Sequence, residues 1–456
     1  MNESVLIALI ALLIALAATI LVLPYFNDIV DKSIAIGLDK WPVILSFVAG
    51  AVLVGILAGS YPAVFLSGLK PIHVIKGGSR NGRRGTSFRR VLVVIQFAVT
   101  VILILGTTIV YKQFQYLMEK DLGYDKDLLV YMPVRGEIMN NFNGFKNDLL
   151  QQPFINGVTV SSDIPTYTVH ATADFDWEGK NNEENLLFHI FSVDFDYIKT
   201  LGLQIVEGRN FSRDFPADST NYILNEEALR LIGIESPIGS LFKQWGNEGK
   251  IIGIIEDFNF KSLHQKVEPL VLRIAPAQNE FIMVNIAPGN TTGALGILEE
   301  AWGIYNIGYP FEYHFLNENY ESLYNAERRM SQIFDYFTFL TFFIACMGLI
   351  GLISHMIVKK RKEISIRKVF GASVAGILIH LSREYILLIL IALVISIPAA
   401  IFFVTGWLEN FAYRIAVAWW TYLLPGILVL LITLLLVSGQ TIKAARQNPV
   451  DYLRYE

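Results

Sequence analysis

Six stretches of this chain are long and apolar enough to cross a bilayer, which takes roughly 20 apolar residues. They are Ser4–Phe26, Trp41–Leu66, Val91–Tyr111, Ile333–Val358, Tyr385–Thr405 and Trp419–Val437. All but the fourth lack Asp, Glu, Lys and Arg; the fourth has Asp335 just inside its start, where a carboxylate can sit at the water interface. The other reading of Asp335 is a buried functional carboxylate. Charge is segregated. Residues 112–331 hold 17 Lys+Arg and 31 Asp+Glu, whereas the remainder holds 20 Lys+Arg and 10 Asp+Glu. An acidic block between basic, apolar flanks excludes an ordinary cytosolic enzyme and points to a membrane protein with one soluble domain. A single cysteine, Cys346, excludes a disulfide framework and a Cys-based zinc site.

Orientation follows from Lys and Arg in the short loops. The 67–90 loop carries Lys70, Lys76, Arg80, Arg83, Arg84, Arg89 and Arg90 with no acid. The 359–384 loop opens Lys359-Lys360-Arg361-Lys362 and adds Arg367, Lys368 and Arg383; the tail has Lys443, Arg446 and Arg454. These segments are expected in the cytoplasm, with both termini. The 27–40 and 406–418 loops and residues 112–331 are then outside. The first stretch has no basic leader and no small-x-small cleavage site before Asn27, so it reads as a retained helix.

Within residues 112–331, strand-like runs recur at Leu128–Val134, Val158–Ile164, Phe188–Asp194, Leu203–Gly208, Lys250–Phe258, Pro269–Ala275, Phe281–Ala287 and Phe311–Leu316. Asn225 can cap a helix over Glu226–Leu231 with Gly233 as its stop, and Thr291 or Thr292 can cap one through Tyr305. This mixture predicts an α+β domain. It hangs on two connections, Lys112–Lys120 and Tyr320–Gln332; both lack Gly and Pro and are expected to prolong their spans as a helical stalk. His170, His189, His264 and His314 are scattered without metal-binding spacing, and Asp257 and His264 read as a turn after a strand. No basic-aromatic patch suggests nucleic acid.

Residues 2–20 align without gaps to 383–401, with identities that include Glu3/Glu384, Leu6/Leu387, Ala11/Ala392 and Ala18/Ala399. Both copies continue into a Trp-led span (Trp41; Trp419, Trp420) and close on Lys70-Pro71-Ile72-His73-Val74-Ile75 or Asn448-Pro449-Val450-Asp451-Tyr452-Leu453. The last two spans thus recur as the first two. One complete unit is expected from about 88 to 456, preceded by only the last two spans of another. On this reading the chain is a short or partial version of a two-unit protein, or its other half is a separate chain.

The sharpest motif is Lys362-Glu363-Ile364-Ser365-Ile366-Arg367-Lys368-Val369-Phe370-Gly371-Ala372-Ser373. As a helix it pairs Glu363 with Arg367 and puts Ile366, Val369 and Phe370 on one face. Gly371 can stop it and Ser373 can start the next helix. Such a helix is either the positive flank of a span or an element that docks into a groove on a cytoplasmic partner.

This motif closely resembles the Lys-Glu-Ile-x-Ile-Arg-Lys-x-x-Gly-Ala-Ser signature of FtsX/MacB-type permeases of ABC transporters. Ser87-Phe88-Arg89-Arg90 before Gln96-Phe97, Asp121-Leu122-Gly123-Tyr124 and Val206-Glu207-Gly208-Arg209-Asn210-Phe211 resemble the same family. So do Leu224-Asn225-Glu226, Pro237-Ile238-Gly239, Ile255-Glu256-Asp257-Phe258 and Asn448-Pro449-Val450. The resemblance implies an α-helical membrane protein of the bacterial inner membrane. It implies six transmembrane helices, with a MacB-type extracytoplasmic α+β core inserted between helices 3 and 4. The expected division is 1–77 for two helices of an incomplete unit, 78–90 for a basic linker and 91–111 for helix 3. Residues 112–331 are the periplasmic domain with stalk, and 332–456 the FtsX-like transmembrane domain with a coupling helix at 360–373.

The resemblance further implies a cytoplasmic ABC ATPase partner, with coupling through Lys362, Glu363, Ile364, Ile366, Arg367, Lys368, Val369, Phe370, Gly371, Ala372 and Ser373. A second permease unit or homodimer and a periplasmic adaptor are further expected partners, besides membrane lipids. No Gly-x-x-x-x-Gly-Lys-Ser/Thr loop occurs, so Mg-ATP is expected only in the partner and the chain itself is not expected to be an enzyme. The expected function is mechanotransmission from ATP hydrolysis to the outer domain. The other reading is a non-transporting regulator that activates a cell-wall hydrolase or senses antimicrobial peptides. Gly55 and Gly59 permit close helix contact, and Pro398 could kink the fifth span.

Overall fold

Backbone polar groups in hydrocarbon must be satisfied internally, and long helices do this. The structure is a computed structural model and describes residues 2–67, 82–180 and 186–445; it leaves out the side chains at 61–67, 82–89, 359, 361, 362, 365, 368, 369, 374, 381, 444 and 445. Lys70, Lys76, Arg80, Arg446, Arg454 and both Pro-containing runs of the repeat lie outside the described residues. The first three helices are α1 (Asn2–Val30), α2 (Trp41–Ser67) and α3 (Gly82–Glu119). α1 is apolar all round and buries no side chain, the pattern of a membrane span. α2 lies close against it. A β-carbon added to Gly55 would stand 2.7 Å from the Val5 Cα, so glycine is required at that crossing.

α3 continues without a break to Glu119, so the first half of the expected stalk is helical. The chain then forms β1 (Leu129–Pro133), α4 (Phe142–Leu150), β2 (Ile155–Ser161), β3 (Ala171–Thr172), β4 (Phe175–Trp177) and β5 (Phe188–Ser192). Next come α5 (Tyr197–Leu201), β6 (Ile205–Gly208), β7 (Tyr222–Asn225), α6 (Glu226–Ile232), β8 (Leu241–Gln244), β9 (Asn247–Ile255) and β10 (Leu270–Arg273). β11 (Phe281–Ile286), α7 (Thr291–Tyr305), β12 (His314–Phe315) and α8 (Leu316–Ser322) complete the run. One sheet has the order β12-β1-β11-β2; the other runs β3-β5-β10-β7-β9-β8-β4, with β6 added on β9. Phe145, Leu149, Leu298 and Trp302 of α4 and α7 close the first core over Val130, Met132, Val158 and Ile282. α6 closes the second through Ala228 and Ile232 over Tyr222, Leu224, Phe242 and Val271.

Three further helices follow: α9 (Asn325–Val369), α10 (Val374–Leu408) and α11 (Trp419–Ala445). Helix stops at Leu323 and Tyr324, so the second half of the stalk is broken between α8 and α9. Six helices in all, among the described residues, are long and apolar enough to cross a membrane, and the protein is a multi-pass membrane protein. Val93, Phe97, Val101 and Leu105 on α3, and Ala345, Leu349, Ile353 and Ile357 on α9, recur every fourth residue and are buried in one cluster with Tyr385, Leu388, Ile389 and Ala392 of α10. Thr107 and Thr338 share a 2.8 Å hydroxyl bond, and Arg90 donates to Glu384 at 2.6 and 2.8 Å.

Compact division separates Met1–Tyr111, Glu327–Thr405 and Ala416–Glu456 from Lys112–Ala326 and Gly406–Ile415. Two further expectations need correction. The α+β unit does not hang on two connections alone, because the loop between α10 and α11 folds as part of it. α7 is capped by Asn290, whose side chain accepts the Gly293 N–H at 3.1 Å, and not by Thr291 or Thr292. A short amide one residue earlier reaches the free amides of the first turn better than the threonines already inside the helix.

Candidate functional site

The Lys362–Ser373 motif forms the end of α9 and the turn into α10. Lys362–Val369 continue the 45-residue α9 rather than forming a separate helix, and the expected coupling segment therefore shares one backbone ladder with a membrane span. The helix stops because Gly371 takes φ +85°, which an L side chain resists. The Phe370 amide then donates to the Ile366 carbonyl at 3.0 Å and the Ala372 amide to the Arg367 carbonyl at 2.9 Å, closing the helix end. Ser373 starts α10. Its hydroxyl accepts the Gly376 N–H at 3.2 Å and its carbonyl accepts the Ile377 N–H at 3.1 Å.

Packing then decides which side chains stay outside. Ile364 is buried against Ile377 beside Met356 and Ala372, and so pins the two helices together below the turn. Phe370 is 86% exposed and Ile366 40% exposed. The face expected for Ile366, Val369 and Phe370 is thus an outward one for the two side chains described; Lys362, Lys368 and Val369 have helical backbones, with side chains outside the described residues. Glu363 accepts from Arg367 at 2.7 Å and lies 3.7 Å from the His380 Nε2. Ile377 and His380 were missed by the sequence reading. Their signal was available: Ile364 and Ile377 flank Gly371 on two helices that turn back on each other. The result is a closed helical corner that presents a large apolar side chain beside charged ones.

The motifs within residues 112–331 are joints of the α+β unit. Asn225 lies at the end of β7. Its Oδ1 accepts from Ala228 N at 3.0 Å and Leu270 N at 2.8 Å, and its Nδ2 donates to Asp257 at 2.9 Å and to the Glu268 carbonyl at 3.0 Å. Burial, then the neighbouring Glu226, raises the Asp257 carboxyl above its ordinary range. Arg209 grips the buried Asp218 with two bonds, at 2.5 and 2.8 Å. Burial alone would raise Asp218; Arg209, the Ser212 amide and Asn221 bring it below its ordinary value. His170 bonds Asp163, His189 bonds Glu268, and His264 stacks on Phe411. Among the described residues no group of His, Cys, Asp and Glu could hold a metal.

Residues 336–449 match the FtsX-like permease C-terminal family. The chain is 22% identical over 345 residues to the uncharacterized ABC transporter permease YknZ of Bacillus subtilis, covering 72% of this chain and 85% of that one. Two solved structures are similar to parts of it. The periplasmic region of MacB from Actinobacillus actinomycetemcomitans is 16% identical, with 46% of this chain and 98% of that one covered at a TM-score of 0.32. The extracellular domain of the noncanonic ABC-type transporter YknZ from Gram-positive bacteria is 17% identical, with 41% and 96% covered at 0.29. The family match spans both helices of the corner and the turn between them.

Proposed function

Starting from a permease of the FtsX/MacB type, we propose that this chain couples ATP hydrolysis in a separate cytoplasmic subunit to movement of its α+β unit. That movement would export or extract a substrate. On this reading the membrane is the bacterial inner membrane, the termini and the 370–373 turn are cytoplasmic, and residues 112–331 are periplasmic, inserted between the third and fourth spans. The partner ATPase binds Mg-ATP. A second permease unit or a second copy completes the membrane part, and a periplasmic adaptor receives the moving domain.

The observation that carries the proposal is Phe370. It stands 86% exposed on a corner fixed by Gly371, Ser373 and the Ile364–Ile377 contact. An exposed aromatic on a rigid corner with a charged rim suits an anchor in a partner's groove. A displacement at that corner enters α9, whose single ladder runs back to Asn325 at the edge of the α+β unit. The test is affinity purification of the full chain in mild detergent, followed by Phe370→Glu. The ATPase is expected to co-purify with wild type and to be lost from the variant, while the variant still inserts. An ATPase that stays bound, with unchanged transport-linked hydrolysis, refutes the docking role.

A further inference from the structure

The loop between α10 and α11 is held by the α+β unit through both backbone and side chains. Ala412 N donates to the His264 carbonyl at 3.2 Å and Tyr413 N to the Leu263 carbonyl at 3.4 Å. The fully buried Gln113 donates from Nε2 to the Tyr413 carbonyl at 2.9 Å and accepts the Ile415 N–H on Oε1 at 3.0 Å. A primary amide is suited to this, because it offers donor and acceptor side by side. Phe411 is 4% exposed; its ring lies 4.4 Å from that of His264, which also stacks on Tyr324 at 5.8 Å. Tyr324 in turn accepts the Leu263 N–H on its hydroxyl at 2.7 Å. All of these residues belong to the α+β unit.

Connectivity makes this grip consequential. The corner at 370–373 has two exits, α9 on one side and α10 on the other. α9 leads back to Tyr324, and α10 leads forward to Trp407 and Phe411, whose rings are 5.0 Å apart. Both paths therefore end on the same few side chains, Tyr324 and Phe411 on either side of His264. We propose that the 406–415 loop is a second mechanical link, so that the corner drives the α+β unit through α10 and this clasp as well as through α9. Gln113 and Phe411 are positioning residues of that link. The inference rests on the coupling role proposed for Phe370.

The experiment uses the full chain purified with its ATPase in lipid nanodiscs, with hydrogen exchange followed with and without Mg-ATP and vanadate. Gln113→Leu removes both bonds of the amide, and Gln113→Asn keeps donor and acceptor but sets them back by one methylene. In wild type the amides of Ala412, Tyr413 and Ile415 are expected to be protected. Gln113→Leu is expected to speed their exchange at least about tenfold, as ~1.4 kcal/mol of lost protection does. It should leave the ATPase bound and reduce the nucleotide-dependent change in residues 188–273. Gln113→Asn is expected to do the same more weakly, which separates the effect from misfolding. Two results overturn the proposal: a loop that exchanges freely in wild type, or a freed loop with an unchanged nucleotide response. Phe370→Glu separates the two readings. If it abolishes the response and Gln113→Leu does not alter it, only the clasp fails. If Phe370→Glu leaves the response intact, the coupling role fails and the clasp with it.

Discussion

Truncating Phe370 to alanine isolates the docking energy from the fold. The side chain is 86% exposed, and the pinning contact of the corner belongs to Ile364. A Phe buries about 200 Å² when fully enclosed, so about 170 Å² is available to a partner here. At ~25 cal/mol per Å² the ceiling is ~4 kcal/mol. Association costs lower this, and anchors that matter in alanine scans lose at least about 2 kcal/mol. Phe370→Ala should therefore weaken binding of the co-purifying ATPase about 30- to 1,000-fold. The assay is a titration of the isolated ATPase against the permease in nanodiscs, with thermal unfolding of the permease alone as the companion measurement. The unfolding midpoint should not move. Ile364→Ala is the converse, costing ~2–4 kcal/mol of stability because it empties a packed site. A Phe370→Ala affinity within about twofold of wild type, on a folded protein, would refute the reasoning, since it leaves less than ~0.5 kcal/mol for an anchor.

Further expectations concern the α+β unit. Asn225→Ala removes a helix cap worth ~1 kcal/mol and orphans the buried Leu270 N–H and Glu268 carbonyl, so urea unfolding of the full chain in detergent should show a loss of about 3–5 kcal/mol; a loss below ~1 kcal/mol contradicts the four-bond role. Acid should weaken the same unit. Burial, then Lys261, holds His189 below its ordinary 6.5, so it is neutral in the fold and takes up a proton on unfolding as the pH falls. Burial would raise Glu268, but Lys261 and His189 bring it below its ordinary 4.5. Stability from the pair is therefore full above about pH 6.5 and falls below it, first through His189 and then through Glu268. His189→Gln should flatten the upper part of that slope in pH-dependent unfolding, and an unchanged slope would remove His189 from the account.

Much of this was readable because it obeys local rules. The six spans are limited by length and by the absence of charge, and each falls within a helix of the structure. Asn225, Gly233, Gly371 and Ser373 mark helix ends by their own chemistry, and all four act there. Strands of five residues or more were visible as apolar runs, and so were the shorter β6, β10 and β12; β3, β4, β7 and β8, of two to four residues each, were not. The outward aim of Phe370 was hidden for another reason. Helical spacing puts residues on one face but does not say which face meets Ile377.

The clasp was illegible on different grounds. Residues 406–415 look like any short loop between two spans, and their partners lie about 300 positions back, at Gln113, and about 150 back, at Leu263 and His264. Nothing periodic announces such a pairing. The motifs nevertheless pointed to its base. Asp121–Tyr124, Leu224–Glu226 and Ile255–Phe258 meet at one corner: Asn259 N donates to the Leu122 carbonyl at 2.8 Å, Tyr124 packs edge-on to Phe258 at 6.2 Å, and Asn225 bonds Asp257. Gly123 sits there at φ +87°, and a β-carbon on it would stand 2.8 Å from the Phe258 Cβ. These motifs contain Asp, Glu and Asn, as a reacting site would, yet Asp121, Asn225, Glu226 and Asp257 are spent on backbone amides, a carbonyl or another side chain. They are the joint where α3 enters the α+β unit. The coupling proposed for this chain would use polar residues at such joints, because satisfied hydrogen-bond networks make a corner rigid.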